Sequence, residues 1–535
     1  MSGWTAFFEQ AKSGFSRTFW IANIIELFER FAYYGSKAIL AVYIAEQVGL
    51  GPGKAGFLVG SLFNTLLYFL PPLAGTIVDR YGFKKSLLAC FSIFSVGYFL
   101  IGLGGLPQGK PLVDALGGAT YMIVALVITA IGGSLIKPSI VGTVARTTTP
   151  ETKSLGYSIY YTLVNLGGAI GPLLAMQVRE NLGIAYVLVM SSLVSLGLIA
   201  GTAIFFREPP RPADAPPAKS MAKVLADMFM VFRDLKFMTF LVIFSGFWIM
   251  FWEIFYALPF YVRDVLHFEK FEIIETVDAW TIILITIPIT ALAKKMKPLS
   301  AMTLGFAIAS ASWFLMGAIP TLTATIVAIA IYAIGEGLQA PRYYEYVADL
   351  APKEQVGTYM GFAFLPVAIG TFVSGAIAGP LVERYVGVRQ DGIFTPGPEF
   401  AQAGRMWFWV GGIGIVSTLA MLAYDRLVVK RSPRAAMTDA ERSASRLAVQ
   451  VLVALCILQG VAVGIFLKEA SGIKANVVPA IMNLLFATWW IKEMADRTRL
   501  AARPRLVALS VWAVVFAVQV ILGVVLGALL GQFSR

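Results

Sequence analysis

Residues 26 to 37 read Glu26-Leu-Phe-Glu29-Arg30-Phe31-Ala-Tyr33-Tyr34-Gly35-Ser-Lys37, inside an otherwise apolar segment that runs from residue 19 to residue 46. A segment of this length crosses a bilayer as a helix, for which about 20 residues suffice. Two carboxylates, an Arg and a Lys at such depth are costly, and lipid tails offer them no partner. At about 100° per residue, Glu26, Glu29, Arg30, Tyr33 and Lys37 fall within a sector of roughly 100°. The segment is therefore a spanning helix with one polar stripe. The stripe has two readings: an internal ion pair of Glu26 or Glu29 with Arg30 that only pins helices together, or the functional lining of a cavity.

The remainder of the chain has the same character. Of 535 residues, 58% are hydrophobic and only 14% charged, which excludes an ordinary soluble globule. Apolar segments long enough to span are predicted at 19–46, 55–78, 86–106, 118–145, 156–178, 184–206, 237–262, 273–293, 298–319, 322–349, 358–382 and 406–425. Three further candidates follow near 447–467, 476–491 and 507–530, the middle one short and holding Asn476 and Asn483. Alternate loops of the twelve-segment part are rich in Lys and Arg, as at Arg80, Lys84 and Lys85 or Lys294, Lys295 and Lys297. The intervening loops carry far fewer, among them Lys54, Lys110, Arg263 and Arg389. Positive residues are retained in the cytoplasm, so both ends of the twelve-segment unit are expected inside, in a plasma membrane such as the bacterial inner membrane. The net charge of +12 is then a matter of topology and implies no nucleic-acid partner. Residues 1 to 17 lack a cleavable signal and read as a cytoplasmic lead-in.

Cys90 and Cys456 both fall in apolar segments, without a CxxC or Cys/His cluster, so no disulfide framework and no metal site are expected. His267, the sole histidine, reads as a solvated loop residue. No G-x-x-x-x-G-K-[ST] loop is present, so ATP is not the expected energy source; neither enzyme chemistry nor a cofactor is expected.

The run at 26–35 closely resembles the E-x-x-E-R-F-x-Y-Y-G signature of the proton-coupled oligopeptide transporter family, a branch of the major facilitator superfamily. Gly75-Thr-Ile-Val-Asp79-Arg80-Tyr-Gly82-Phe-Lys84-Lys85 resembles the superfamily's G-x-x-x-D-R-x-G-x-[KR]-[KR] loop, which implies a gating and folding role for Asp79 and Arg80. Gly132-Gly133-Ser-Leu-Ile-Lys137-Pro138 is similar to G-x-G-x-x-K-P, and a lysine at that depth is hard to explain as lipid-facing. Tyr157-Ser-Ile-Tyr160-Tyr161-Thr-Leu-Val-Asn165-Leu-Gly167-Gly168-Ala-Ile-Gly171-Pro172 is similar to Y-x-x-x-N-x-G-x-x-x-G-P. Its Gly167 and Gly171 form a small-residue face for a neighbouring backbone; Asn165 either meets a peptide amino group or bonds another helix. Tyr68 matches a tyrosine that lines the family's peptide pocket, or else is a core aromatic.

In the second half, Phe247-Trp248-Ile-Met-Phe-Trp252-Glu253 resembles the family's aromatic run ending in Glu or Gln. Gly335-Glu336-Gly-Leu-Gln-Ala340-Pro341 resembles G-E-x-x-x-S-P with the serine replaced by Ala340. The match weakens at Met360-Gly361-Phe362-Ala363-Phe364-Leu365-Pro366-Val367, where the family's tryptophan is Ala363 and its two serines are Pro366 and Val367. Lys37 stands where the family has an arginine; it keeps the charge and gives up bidentate pairing.

The resemblance covers residues 20 to 425 and implies an all-α membrane protein of the major facilitator fold. Its two six-helix halves are residues 1–206 and 237–425, joined by a cytoplasmic linker at 207–236 and followed by an extension at 426–535 with about three more spanning helices. It implies a proton-driven symporter that imports di- and tripeptides by alternating access. Proton coupling falls to Glu26, Glu29, Arg30 and Lys137, substrate binding to Tyr33, Lys37, Tyr68, Lys137, Asn165, Trp252, Glu253 and Glu336, and gating to Lys37 with Glu253 and to Asp79 with Arg80. Burial favours a carboxyl's protonated form and a nearby cation its charged form, so a glutamate between Arg30 and Lys137 can exchange its proton as they approach or withdraw. The altered 360–367 stretch leaves open a proton-coupled carrier of another solute. The extension leaves open a non-transporting assembly partner, since fold does not fix function. The expected partners are a small-molecule substrate, protons and membrane lipid, while the extension either packs on the transporter's flank or recruits a protein partner.

Overall fold

The computed structural model describes residues 14–211, 220–232, 234–351 and 356–426. The predicted extension with its three spans, residues 1–13 of the lead-in and the middle of the linker lie outside the described residues.

Twelve long helical segments follow in order. They are α1 (Arg17–Val42), α2 (Gly51–Phe69 and Pro71–Tyr81), α3 (Phe83–Leu103), α4 (Gly118–Thr147), α5 (Lys153–Leu182), α6 (Ile184–Phe205), α7 (Leu235–Tyr256), α8 (Phe271–Lys294), α9 (Pro298–Ala318), α10 (Leu322–Leu350), α11 (Tyr359–Tyr385) and α12 (Arg405–Tyr424). Among the described residues, nine helices are long and apolar enough to cross a membrane, or up to 11 if each bent pair counts as one span. α1 is outside that set because Arg17, Glu26, Glu29, Arg30 and Lys37 interrupt its apolar run, the same residues that make it functionally conspicuous.

Local chemistry sets the ends and bends. Ser16 caps α1 by accepting the Phe19 N–H at 3.3 Å. The helix widens into a π-helical turn at Tyr43–Gln47 and stops where Gly49 and Gly51 take positive φ of 77° and 78°. α2 bends by 40° at Pro71-Pro72, where proline removes a helical N–H and crowds the preceding turn. The turn into α3 passes through Gly82 at φ 86°, and the Glu208 carboxylate then accepts the Phe83 and Lys84 N–H groups at 2.8 and 2.7 Å. A carboxylate at a helix amino terminus satisfies orphan donors and complements the helix dipole. Within α4, the Pro138 ring sets a break at Leu135, so Lys137 stands at a kink.

Compact packing divides the chain into two units. The first comprises residues 1–241, 251–283 and 351–401 and so holds α1 to α6, both ends of α7, most of α8 and α11. Here Gly167 and Gly171 of α5 face α1, as their spacing predicts: a Cβ on Gly171 would meet the Phe31 carbonyl at 2.8 Å, and one on Gly35 the Gly171 carbonyl at 3.0 Å. α2 and α11 approach equally closely, with Gly56 against the Gly375 backbone and the Ser61 hydroxyl donating to Phe372 O at 2.6 Å.

The second unit comprises residues 242–250, 284–350 and 402–535, described as far as 426. Gly305 of α9 packs on Gly335 of α10, where a Cβ would meet the opposing carbonyl at 2.6 Å, and Trp313 stacks on Trp407 at 5.1 Å. The Tyr332 hydroxyl donates to Phe247 O at 3.0 Å. Arg342 donates to Met296 O at 2.7 Å and pairs with Glu345, one turn on in the same helix.

One feature of the 386–404 loop is absent from the sequence reading. Gly387–Gln390 (β1) pairs antiparallel with Ile393–Pro396 (β2) across Asp391 and Gly392, both at positive φ (50° and 79°). An Asp-Gly pair with both φ positive is the turn that two-residue hairpins favour.

Candidate functional site

The polar stripe of α1 is buried along its whole length: Glu26, Glu29, Arg30, Tyr33 and Lys37 are all shielded from solvent. Its lower part is an ion cluster. Arg30 Nε lies 3.3 Å from Glu26 Oε1 and is hydrogen-bonded to Glu29, so one guanidinium faces two carboxylates. Tyr160 of α5 donates to Glu26 Oε1 at 3.2 Å. Among the described residues, the second oxygens of both glutamates, Glu26 Oε2 and Glu29 Oε1, have no hydrogen-bond partner.

Lys137, half-buried at the α4 kink, lies within electrostatic reach of Glu26, Glu29 and Arg30, yet no ion pair within 4.0 Å joins it to either glutamate. With Glu29, Arg30, Tyr33 and Tyr68 it lines a cavity of about 20 Å³. That is room for about one water molecule. Glu29, which keeps one carboxylate oxygen without a hydrogen bond, thus lines the same water-sized space as the Lys137 ammonium. Both alternatives for the stripe are thus visible together: a real internal ion pair, and a cavity beside it.

Higher on α1, a hydrogen-bonded chain leaves Tyr33. Its hydroxyl lies 3.4 Å from Asn64 Oδ1 and 3.3 Å from the Tyr68 hydroxyl, and its one proton serves only one of them at a time. Asn64 Nδ2 donates to the Tyr256 hydroxyl at 2.8 Å, which lies 3.1 Å from Thr371 Oγ1, and Thr371 donates to Gly60 O at 2.7 Å. This chain joins α1, α2, α7 and α11. Asn64, Tyr256 and Thr371 are marked in the sequence only by an Asn and a Thr inside apolar spans.

Lys37 sits in an aromatic box. Its ammonium is 3.4 Å from the Phe255 ring centroid and 4.1 Å from that of Trp252, with Phe251 and Tyr34 behind. Ring faces attract a cation without neutralising it. Trp252 also stacks on Tyr256 and meets Tyr68 edge-on. Glu253, expected opposite Lys37, is buried and accepts instead from Ser374 of α11 at 2.9 Å. Glu275 and Asp278 of α8, which sequence reasoning missed, lie within electrostatic reach of Lys37.

Asn165 donates to Tyr161 O, one turn back in its own helix, at 2.9 Å. Asp79 and Arg80 are exposed at the end of α2, and Arg80 lies over the Tyr81 ring at 5.7 Å. Glu336 is half-buried in α10 and belongs to the second unit. Beyond α1, Arg263 binds Glu46 at 2.9 and 2.5 Å and Asp264 at 2.7 Å, and Arg389 of the hairpin reaches Asp264 at 2.7 Å. This ion network ties the end of α1 to the segment after α7 and to the hairpin.

The sequence model of the Major Facilitator Superfamily matches residues 22–375 of this chain. The chain belongs to the Major Facilitator Superfamily. Superfamily relatives include dipeptide and tripeptide permease B of Edwardsiella piscicida, 28% identical over 193 residues, and a di-/tripeptide transporter of Lactococcus lactis subsp. cremoris, 29% identical over 209 residues. The first alignment covers 36% of each chain and the second 36% of this one and 39% of the other, so the match spans little more than a third of these relatives. Among solved structures, a POT family transporter in complex with 5-aminolevulinic acid superposes with a TM-score of 0.62 at 18% identity, over 77% of this chain and 97% of that one. A nucleoside transporter superposes with 0.60 at 14% identity, over 76% and 99%. At such identities the superpositions show the superfamily fold.

Proposed function

We propose that this chain is a proton-coupled symporter of small peptides, in the oligopeptide-transporter branch of the superfamily. The observation that carries the reading is the buried Glu26–Glu29–Arg30 cluster with Lys137 across a water-sized cavity. The peptide-permease names of the matched relatives and the signature at residues 26–35 support it. In this reading, proton binding at Glu26 or Glu29 weakens the hold of the carboxylates on nearby cations and frees Lys137 for a substrate carboxylate. Groups this close titrate together, so the proton belongs to the cluster and to neither glutamate alone. Lys137 and Glu336 are proposed as the two poles that orient a zwitterionic peptide. Tyr33, Tyr68 and Trp252 line its path, and Lys37, Glu253, Asp79 and Arg80 serve the gates. The proposed setting is the plasma membrane, with the amino terminus in the cytoplasm.

The test is uptake of a labelled dipeptide by the full chain in proteoliposomes, with and without an inward proton gradient. Wild type is expected to concentrate the peptide only with the gradient. Glu29→Gln is expected to abolish gradient-driven uptake, while counterflow at equal pH persists. If both Glu26→Gln and Glu29→Gln concentrate peptide as wild type does, the cluster is structural.

A second reading, a proton-coupled carrier of another solute, is favoured by one specific observation. Ala363, Pro366 and Val367 replace the larger or polar residues that the family pattern has there, which removes a ring and two hydroxyls from that stretch. Gradient-driven uptake of a non-peptide in the same vesicles, with dipeptide excluded, selects this reading.

A further inference from the structure

Four charged side chains meet where α1 ends, the end of the helices that charge bias assigns to the outside. Arg263 lies in the short helix Leu258–Asp264 that follows α7 and offers two edges of its guanidinium to two carboxylates. Its Nη1 and Nη2 donate to Glu46 Oε2 and Oε1 at 2.9 and 2.5 Å. Its Nε and Nη2 donate to Asp264 Oδ1 and Oδ2 at 3.1 and 2.7 Å. Asp264 Oδ1 accepts again from Arg389 Nη2 at 2.7 Å. Two cations thus meet two anions, with Arg263 and Asp264 buried at 8% and 6% exposure.

The hairpin brings Arg389 to this network. Arg389 stands on β1 directly opposite Phe394 of β2, and its guanidinium lies 5.6 Å from the centroid of that ring. The base of the hairpin is fastened as well: Gly397 N–H donates to Val386 O and Glu399 N–H to Arg384 O, both at 3.0 Å, and Arg384 Nε donates to Glu399 Oε1 at 2.7 Å. Arg389 is therefore carried by a braced ribbon. Two further ties lie at the same end. Arg179 of α5 donates to Glu272 Oε2 at 3.1 Å and to Glu269 O at 3.0 Å, ahead of α8, and Gly53 N–H of α2 donates to Glu383 of α11 at 2.8 Å. Each tie joins an element of the first half of the sequence to one of the second, so this end is shut.

We infer that the hairpin is a strap that locks the outer end, fastened through Arg389 and Asp264 to the clamp of Arg263 on Glu46. The inference rests on the alternating-access reading and adds to the gates proposed there. A buried ion network gains little over its hydrated parts, because desolvation offsets most of the attraction, so such a lock closes without trapping the molecule. Loss of one member has a different effect. It leaves a charge unpaired in the closed form that water satisfies in the open one, and the population moves toward open.

Distances between spin labels on cysteines replacing Lys54 and Glu269, two exposed positions at this end outside the four-charge network, test the lock in the full chain in lipid vesicles. Cys90 is buried and Cys456 is changed to Ser. Asp264→Asn leaves two cations against one anion, and Arg389→Gln leaves two anions against one cation. Each is expected to raise the long-distance population about 5-fold or more. The double variant keeps the balanced pair of Glu46 and Arg263 and loses the strap, so it is expected to fall between wild type and the single variants. Circular dichroism identifies a variant that fails to fold, and Glu46→Gln, which orphans a cation, then takes its place. Unchanged distances in the single variants overturn the inference. A double variant that shifts by the sum of the two overturns it too, and one indistinguishable from wild type removes the hairpin from the lock. No solute is used: shifted distances in a chain that does not carry dipeptide sink the peptide reading alone, and unshifted distances in one that does sink the lock alone.

Discussion

At the scale of single residues, the site is built from polar groups whose cost in an apolar span is met by named partners. Asn64 shows this best. It engages the hydroxyls of Tyr33 and Tyr256 and donates to Val59 O at 3.1 Å, so one amide connects three helices. Asn64→Leu fills similar space and leaves the two hydroxyls short of a partner. The expected loss is about 1–3 kcal/mol, the cost of leaving buried polar groups unsatisfied. Thermal unfolding of the purified chain in detergent is expected to show a lower midpoint for Asn64→Leu, and a smaller drop for Asn64→Asp, which keeps an acceptor for Tyr33. An unchanged midpoint in Asn64→Leu removes the hydrogen-bonded chain from the energetics of the fold.

At the scale of elements, the close approach of α2 and α11 is an arrangement of glycines. A Cβ on Gly375 would stand 2.6 Å from Gly56 O and from the Gly60 Cα, and backbone cannot yield as a flexible side chain does. Overpacking of this kind costs about 1–3 kcal/mol. If the contact forms and parts during transport, Gly375→Val disfavours the closed pairing by roughly 5- to 150-fold. Distances between spin labels placed on α2 and α11 are expected to shift to longer populations in the variant, with the fold intact. Identical distance distributions in variant and wild type would show that these helices never separate, and the pairing would then be scaffold alone.

At the scale of the whole molecule, sidedness is the property from which import follows. The basic loop at Arg80, Lys84 and Lys85 and the hairpin at Asp391-Gly392 are assigned to opposite faces of the membrane by charge bias. A cysteine replacing Lys84 is expected to react with an impermeant maleimide only after the membrane is opened, and one replacing Asp391 is expected to react in intact cells. Cys90 is buried, and the other native cysteine, Cys456, is changed to Ser in both variants to remove its background. The reverse pattern would invert the chain and turn the proposed importer around.

The sequence by itself determined the twelve helical segments between residues 17 and 424 and the charged stripe of α1, because the cost of a charge or an unpaired backbone in lipid belongs to one residue at one depth. It also carried the face of Gly167 and Gly171, since helical spacing alone puts two small residues on one side. The pairing of Lys37 was not legible. Glu253 looked like its partner by position in the chain, whereas the structure gives Glu253 to Ser374 and places Lys37 among rings near Glu275 and Asp278. Those two acids fall inside the segment predicted at 273–293, yet nothing in the sequence names a partner for them. Nor does it join Arg389 to Asp264, 125 positions apart. Only the tertiary structure decided these contacts, because an ion pair or a hydrogen bond depends on the distance between two groups, and folding sets that distance between segments far apart in the chain.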